Sequence, residues 1–121
     1  MKNLLLLLCF LPLSAFASWQ VEVALGIDGE TWKIDHAKFE ESKETALTLG
    51  RYLVKLTIKK SKEENGLDVT YVVQEKKGEQ FILVNKGDDI IEIGQKSNEI
   101  YAKGEPKQPN SIITLKFKPT K

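Results

Sequence analysis

Cysteine occurs once in this chain, as Cys9, and that position falls in an apolar run near the start. Everything after it is without a thiol, which excludes a disulfide framework and a thiolate metal site from the body of the protein. Histidine also occurs once, as His36, so a zinc site would need three carboxylates beside a single imidazole. Arginine occurs once, as Arg51, and bidentate clamping of phosphates or carboxylates is therefore nearly absent. There is no Asn-x-Ser/Thr sequon. Lysine plus arginine number 18 against 17 aspartate plus glutamate, a balance that neither nucleic-acid binders nor polyanion binders usually show. The motifs of nucleophilic and metal-dependent hydrolysis, Gly-x-Ser-x-Gly and His-Glu-x-x-His, are missing, as is a glycine-rich phosphate loop.

The first 17 residues have the form of a secretory leader. Lys2 supplies a positive n-region, Leu4 to Leu8 with Phe10 and Leu11 an apolar h-region, and Ala15-Phe16-Ala17 a small-x-small cleavage signal before Ser18. Pro12 and Ser14 interrupt the apolar run, which is shorter than the roughly 20 residues of a membrane span. Cys9 is preceded by Leu6-Leu7-Leu8 rather than by the small residue of a lipid-attachment signal, so it reads as part of the leader. The mature protein is expected to begin at Ser18, to form one domain over residues 18–121 and to have no membrane span. An exported domain without disulfides or sequons points to a bacterial periplasmic or secreted protein.

What remains reads as strands. Trp19, Val21, Val23, Leu25 and Ile27 alternate with polar or small residues. Asp28-Gly29 then offers the pair that a type I′ hairpin turn prefers, with Thr31 to Ile34 as the return strand. Tyr52, Val54, Leu56 and Ile58 repeat the alternation, and so do Leu67, Val69, Tyr71 and Val73 after a polar turn from Lys59 to Gly66. A turn at Lys76-Lys77-Gly78 leads to Phe81-Ile82-Leu83-Val84, an apolar run expected to be buried on both faces or nearly so. Lys86-Gly87-Asp88-Asp89 reads as a further turn, followed by short strands at Ile90 to Ile93 and Glu99 to Lys103. The last strand carries Ile113, Leu115 and Phe117 and stops at Pro119.

The ambiguous stretch is His36 to Leu49. Phe39, Ser42, Ala46 and Leu49 could share a helix face, whereas Thr45, Leu47 and Leu49 alternate; the charges from Lys38 to Glu44 blur the helical stripe and favour a strand. The expected fold is all-β, a single antiparallel sandwich or a small closed barrel of about 7–9 short strands.

Candidates for chemistry are few. His36, beside Asp35, reads as a solvated or capping side chain rather than a base. Glu40-Glu41, Glu63-Glu64 and Asp88-Asp89 are carboxylate pairs, but neighbours in a strand point to opposite faces, and pairs in lysine-rich turns are usually solvated. Lys86 to Asp89 lacks the repeated spacing of a calcium loop. No catalytic residue, metal ligand or cofactor is assigned. Trp32, just after a hairpin turn, and Tyr101, in a short polar strand, are the aromatics best placed to meet a partner. The functional expectation is a non-catalytic exported domain that binds another protein, as accessory subunit or inhibitor of a secreted enzyme. A barrel carrying a small apolar ligand and a carboxylate-based hydrolase are the alternatives.

Overall fold

The computed structural model describes residues 17–62, 65–92 and 94–118. The leader up to residue 16, the Glu63-Glu64 pair, Ile93 and Pro119 lie outside the described residues. Among the described residues eight strands follow one another: β1 (Ser18–Ile27), β2 (Glu30–Glu40), β3 (Glu44–Leu49), β4 (Tyr52–Lys60), β5 (Gly66–Lys77), β6 (Gln80–Glu92), β7 (Asn98–Ala102) and β8 (Ser111–Phe117). They form two antiparallel sheets of four, ordered β2-β1-β8-β7 and β3-β4-β5-β6. The protein is thus a sandwich and not a closed barrel: β2 does not pair with β3, nor β6 with β7.

Alternation explains the core. Val21, Val23, Leu25 and Ile27 of β1 and Ile113 and Leu115 of β8 face Val54, Leu56 and Ile58 of β4 and Leu67, Val69 and Val73 of β5, all essentially without solvent contact. The Asp28-Gly29 turn has φ of 51° and 80°, the left-handed pair that a type I′ turn requires, with Ile27 opposite Glu30. The ambiguous His36 to Leu49 stretch is strand on both sides of a corner at residues 41–43. Ser42 turns that corner at φ 67°, and its amide donates to the carbonyl of Ile58 in the other sheet.

Two β-bulges depart from simple alternation. Val21 pairs with Ala37 but Val23 with Ile34, so Asp35 and His36 together stand opposite Glu22. The extra residue reverses the phase of β2: Trp32 and Ile34 point inward before it, Ala37 and Phe39 after it. A second bulge, at Val84, interrupts the pairing of β5 with β6. It corrects the reading of Phe81 to Val84: only Val84 is buried, Ile82 and Leu83 are half-buried, and Phe81 is exposed, because β6 is an edge strand.

The expected turn at Lys86 to Asp89 is also corrected. These residues continue β6 without a break, pairing with Val72 to Val69 of β5. Gly87 sits where it does for a packing reason: a Cβ there would lie 2.6 Å from the Tyr71 hydroxyl oxygen, so only glycine lets the buried ring lie against the strand. The short strand expected from Ile90 is the end of this longer one.

Candidate functional site

Trp32 and Tyr101 do not share a surface. They belong to the two opposite edge strands of one sheet, β2 and β7, and point to its opposite faces. Trp32 stands opposite Leu25 and turns inward, where its indole covers Gly50 and meets the Tyr52 ring edge-on at 5.3 Å between centroids. The guanidinium of Arg51, in the turn between β3 and β4, lies 4.9 Å from the Tyr52 ring centre and 5.7 Å from that of Trp32. The same guanidinium donates from Nε to Glu75 at 2.9 Å and reaches Glu30 at 3.5 Å. That hydrogen bond to Glu75 raises the pKa of Arg51, and burial raises that of the Tyr52 phenol. The cluster ties β2 of one sheet to the β3–β4 turn of the other. Trp32 is therefore engaged in holding the sheets together.

Tyr101 is in the opposite situation. Its side chain is 71% exposed on the outer face, with the hydroxyl donating to Glu99 Oε1 at 2.8 Å. This hydrogen bond to a carboxylate holds the phenol's pKa above its ordinary value. Across the sheet, Tyr101 stands opposite Ile112, Ile112 opposite Gly26, and Gly26 opposite Thr31, so one row crosses all four strands. Ile112 is 39% exposed. Beside it Gly26 carries no side chain, and the row dips into an open concavity of about 700 Å³ that Tyr101, Ile112 and the Asp28-Gly29 turn border. Its far wall is the β7–β8 loop, where Asn110 Oδ1 accepts from the Gly104 amide at 2.8 Å. The loop is tethered to the other sheet as well, since the Glu105 amide donates to the Val84 carbonyl at the β6 bulge. Alternation marks Gly26 as an outward position in β1, which is the signal by which this dip could have been found.

Ser111, at the same concavity, is buried and accepts a 2.7 Å hydrogen bond from Asn85 Nδ2 across the gap between the sheets. Asn85 Oδ1 has no hydrogen-bond partner among the described residues.

The carboxylates are dispersed. Asp88 stands opposite the outward Thr70 and Asp89 opposite the inward Val69, so this pair is split between the two faces of β6. Glu40 is paired with Lys43, which lowers its pKa, while Glu41 accepts from the Lys60 and Ala17 amides. Among the described residues no group of three or more His, Cys, Asp or Glu converges on a point where a metal could sit. His36 is exposed in the β2 bulge. No helix among the described residues is long and apolar enough to cross a membrane.

No protein-family model, curated protein or solved structure matches this chain.

Proposed function

We propose that the chain is an exported, non-catalytic β-domain of the bacterial envelope that acts by binding another protein, as an accessory subunit or as an inhibitor of a secreted enzyme. The observation that carries this reading is the exposed Tyr101 ring on a rigid sheet face, next to Ile112 and the dip at Gly26. Aromatic side chains standing out of a preformed surface are the usual anchors of protein interfaces, and they dominate the binding energy where they fill a partner's pocket. Trp32 supports the face from behind rather than touching the partner, because its ring is committed to Gly50 and Tyr52. A carrier of small apolar ligands would need a hollow interior; here Phe39, Leu25, Leu56 and Leu67 fill the space between the sheets.

The test uses a partner captured from the envelope fraction and then purified. Tyr101→Ala is expected to weaken its binding by at least about 2 kcal/mol without moving the thermal melt. Leu56→Ala is the control: loss of this buried side chain is expected to cost about 2–5 kcal/mol of stability and to leave binding per folded molecule unchanged. Unaltered affinity in Tyr101→Ala refutes the assignment of the site. Export has its own check, since the intact mass of the protein recovered outside the cytoplasm is expected to begin at Ser18. Retention of Met1 would mean that the leader is an anchor.

A further inference from the structure

We propose that β7 is a self-association edge, through which two copies of this chain join β7 to β7 in antiparallel fashion about a two-fold axis at Tyr101. The proposal is independent of the envelope partner, and it rests on three features of one short strand.

The first is the edge itself. β7 is hydrogen-bonded within its sheet only to β8, and the register of that pairing is unbroken from Asn98 to Ala102. Edge strands are commonly guarded by bulges, prolines or inward-pointing charges. β2 has its bulge at Asp35 and His36, and β6 has both the bulge at Val84 and the inward Asp89. β7 carries none of these, and neither does the remaining edge, β3; the inward residues of β7 are Asn98, Ile100 and Ala102, all buried, and what sets it apart from β3 is the charge order of its outward residues.

The second is the order of its outward residues. Glu99 and Tyr101 are exposed on the outer face, and Lys103, the first residue past the end of the strand and the next in its alternation, is exposed too. An antiparallel pair centred on Tyr101 sets each Glu99 opposite the Lys103 of the other copy, twice, with the two tyrosines facing each other between them. Directly opposed side chains in such a pair have Cβ atoms roughly 4.5–5.5 Å apart, within reach of both ion-pair and aromatic contact. The arrangement is isologous, as a two-fold dimer requires.

The third is that other registers are disfavoured. Centring on Glu99 or on Lys103 puts like charges face to face, centring on Ala102 opposes Glu99 to Glu105, and centring on Ile100 opposes Glu99 to Tyr101 and Lys103 to Ser97, which leaves no ion pair. Only the Tyr101 register pairs unlike charges on both sides of the axis. The product is one continuous eight-stranded sheet, β2-β1-β8-β7-β7-β8-β1-β2, with a ridge of two tyrosines between two Gly26 dips.

Sedimentation velocity over a concentration series reaching high micromolar tests the proposal, with thermal melts to verify folding. The wild-type protein is expected to show a reversible monomer–dimer equilibrium that weakens with added salt. Glu99→Lys and Lys103→Glu are each expected to weaken dimerisation at least about tenfold, since each turns both ion pairs into like-charge contacts. Mixed one to one, these two variants restore unlike pairs on both sides and are expected to recover the dimer as a heterodimer. A wild-type chain that stays monomeric throughout, single variants that dimerise as well as wild type, or a mixture that fails to associate would each overturn it. Because Tyr101 is intact in both variants, the result does not depend on whether an envelope partner uses that ring.

Discussion

Phe39→Ala is expected to cost about 3–5 kcal/mol of folding stability, the range for removing a buried aromatic ring from a core. Among the described residues Phe39 is the largest side chain with no solvent contact, and it projects from an edge strand against the opposing sheet. The cavity left behind cannot close easily. Its backbone is pinned on one side by pairing with Trp19 and on the other by the Ser42–Ile58 hydrogen bond at the corner. Equilibrium denaturation in urea measures the loss directly. A value below about 1 kcal/mol would mean that the ring is not part of the inter-sheet core.

Gly50→Val is expected to be nearly as damaging, for two separate reasons. Gly50 has φ 63°, a conformation that a β-branched residue adopts only at a cost of about 1–3 kcal/mol. A Cβ built there would collide with Trp32 Nε1, so the indole must move, which adds about 1–3 kcal/mol of overpacking. Moving Trp32 also disturbs its contacts with Tyr52 and Arg51. The two costs can be separated. Gly29 is likewise left-handed, at φ 80°, but a Cβ there meets nothing within 4 Å. Gly29→Val therefore carries the strain alone, and the excess loss in Gly50→Val reads the displaced ring. Trp32→Ala in the Gly50→Val background should recover part of that excess, a coupling that a double-mutant cycle quantifies. Equal losses at the two glycines would show that Trp32 does not rest on Gly50.

Much of the fold is readable from residue order because most strands keep strict alternation. Val21 to Ile27 and Tyr52 to Ile58 each place their apolar set on one face, and Asp28-Gly29 names its own turn. Bulges are harder, since one extra residue leaves a run that matches neither period. Asp35 and His36 shift β2 by one, so Trp32 and Ile34 cannot be joined with Ala37 and Phe39 in one alternation. Gly87 misleads for a different reason: glycine next to two aspartates has turn composition, yet what selects it is the Tyr71 hydroxyl 16 positions earlier, a contact no local pattern records. The candidate site divides similarly. The exposure of Tyr101 follows from the polar residues on its face, and the inward turn of Trp32 from the Asp28-Gly29 hairpin, which sets it opposite Leu25; what residue order does not show is that Gly50 and Arg51 arrive from the other sheet to pack against its ring.

The route of the chain has a kinetic consequence. Every pairing in the β3-β4-β5-β6 sheet joins consecutive strands, so that sheet can grow by successive hairpins at little loop-closure cost. The other sheet is different, because its central pair brings Val21 to Phe117, nearly the whole length of the domain. Until that closure the β1–β2 hairpin and the β7–β8 pair can each cover only part of the apolar face of the β3-β4-β5-β6 sheet. Substitutions around the β4–β5 and β5–β6 turns should thus slow folding, while those along the β1–β8 seam should mainly speed unfolding. A fold whose β2-β1-β8-β7 sheet closes only when its first and last strands meet keeps that sheet open for as long as β1 and β8 are held apart.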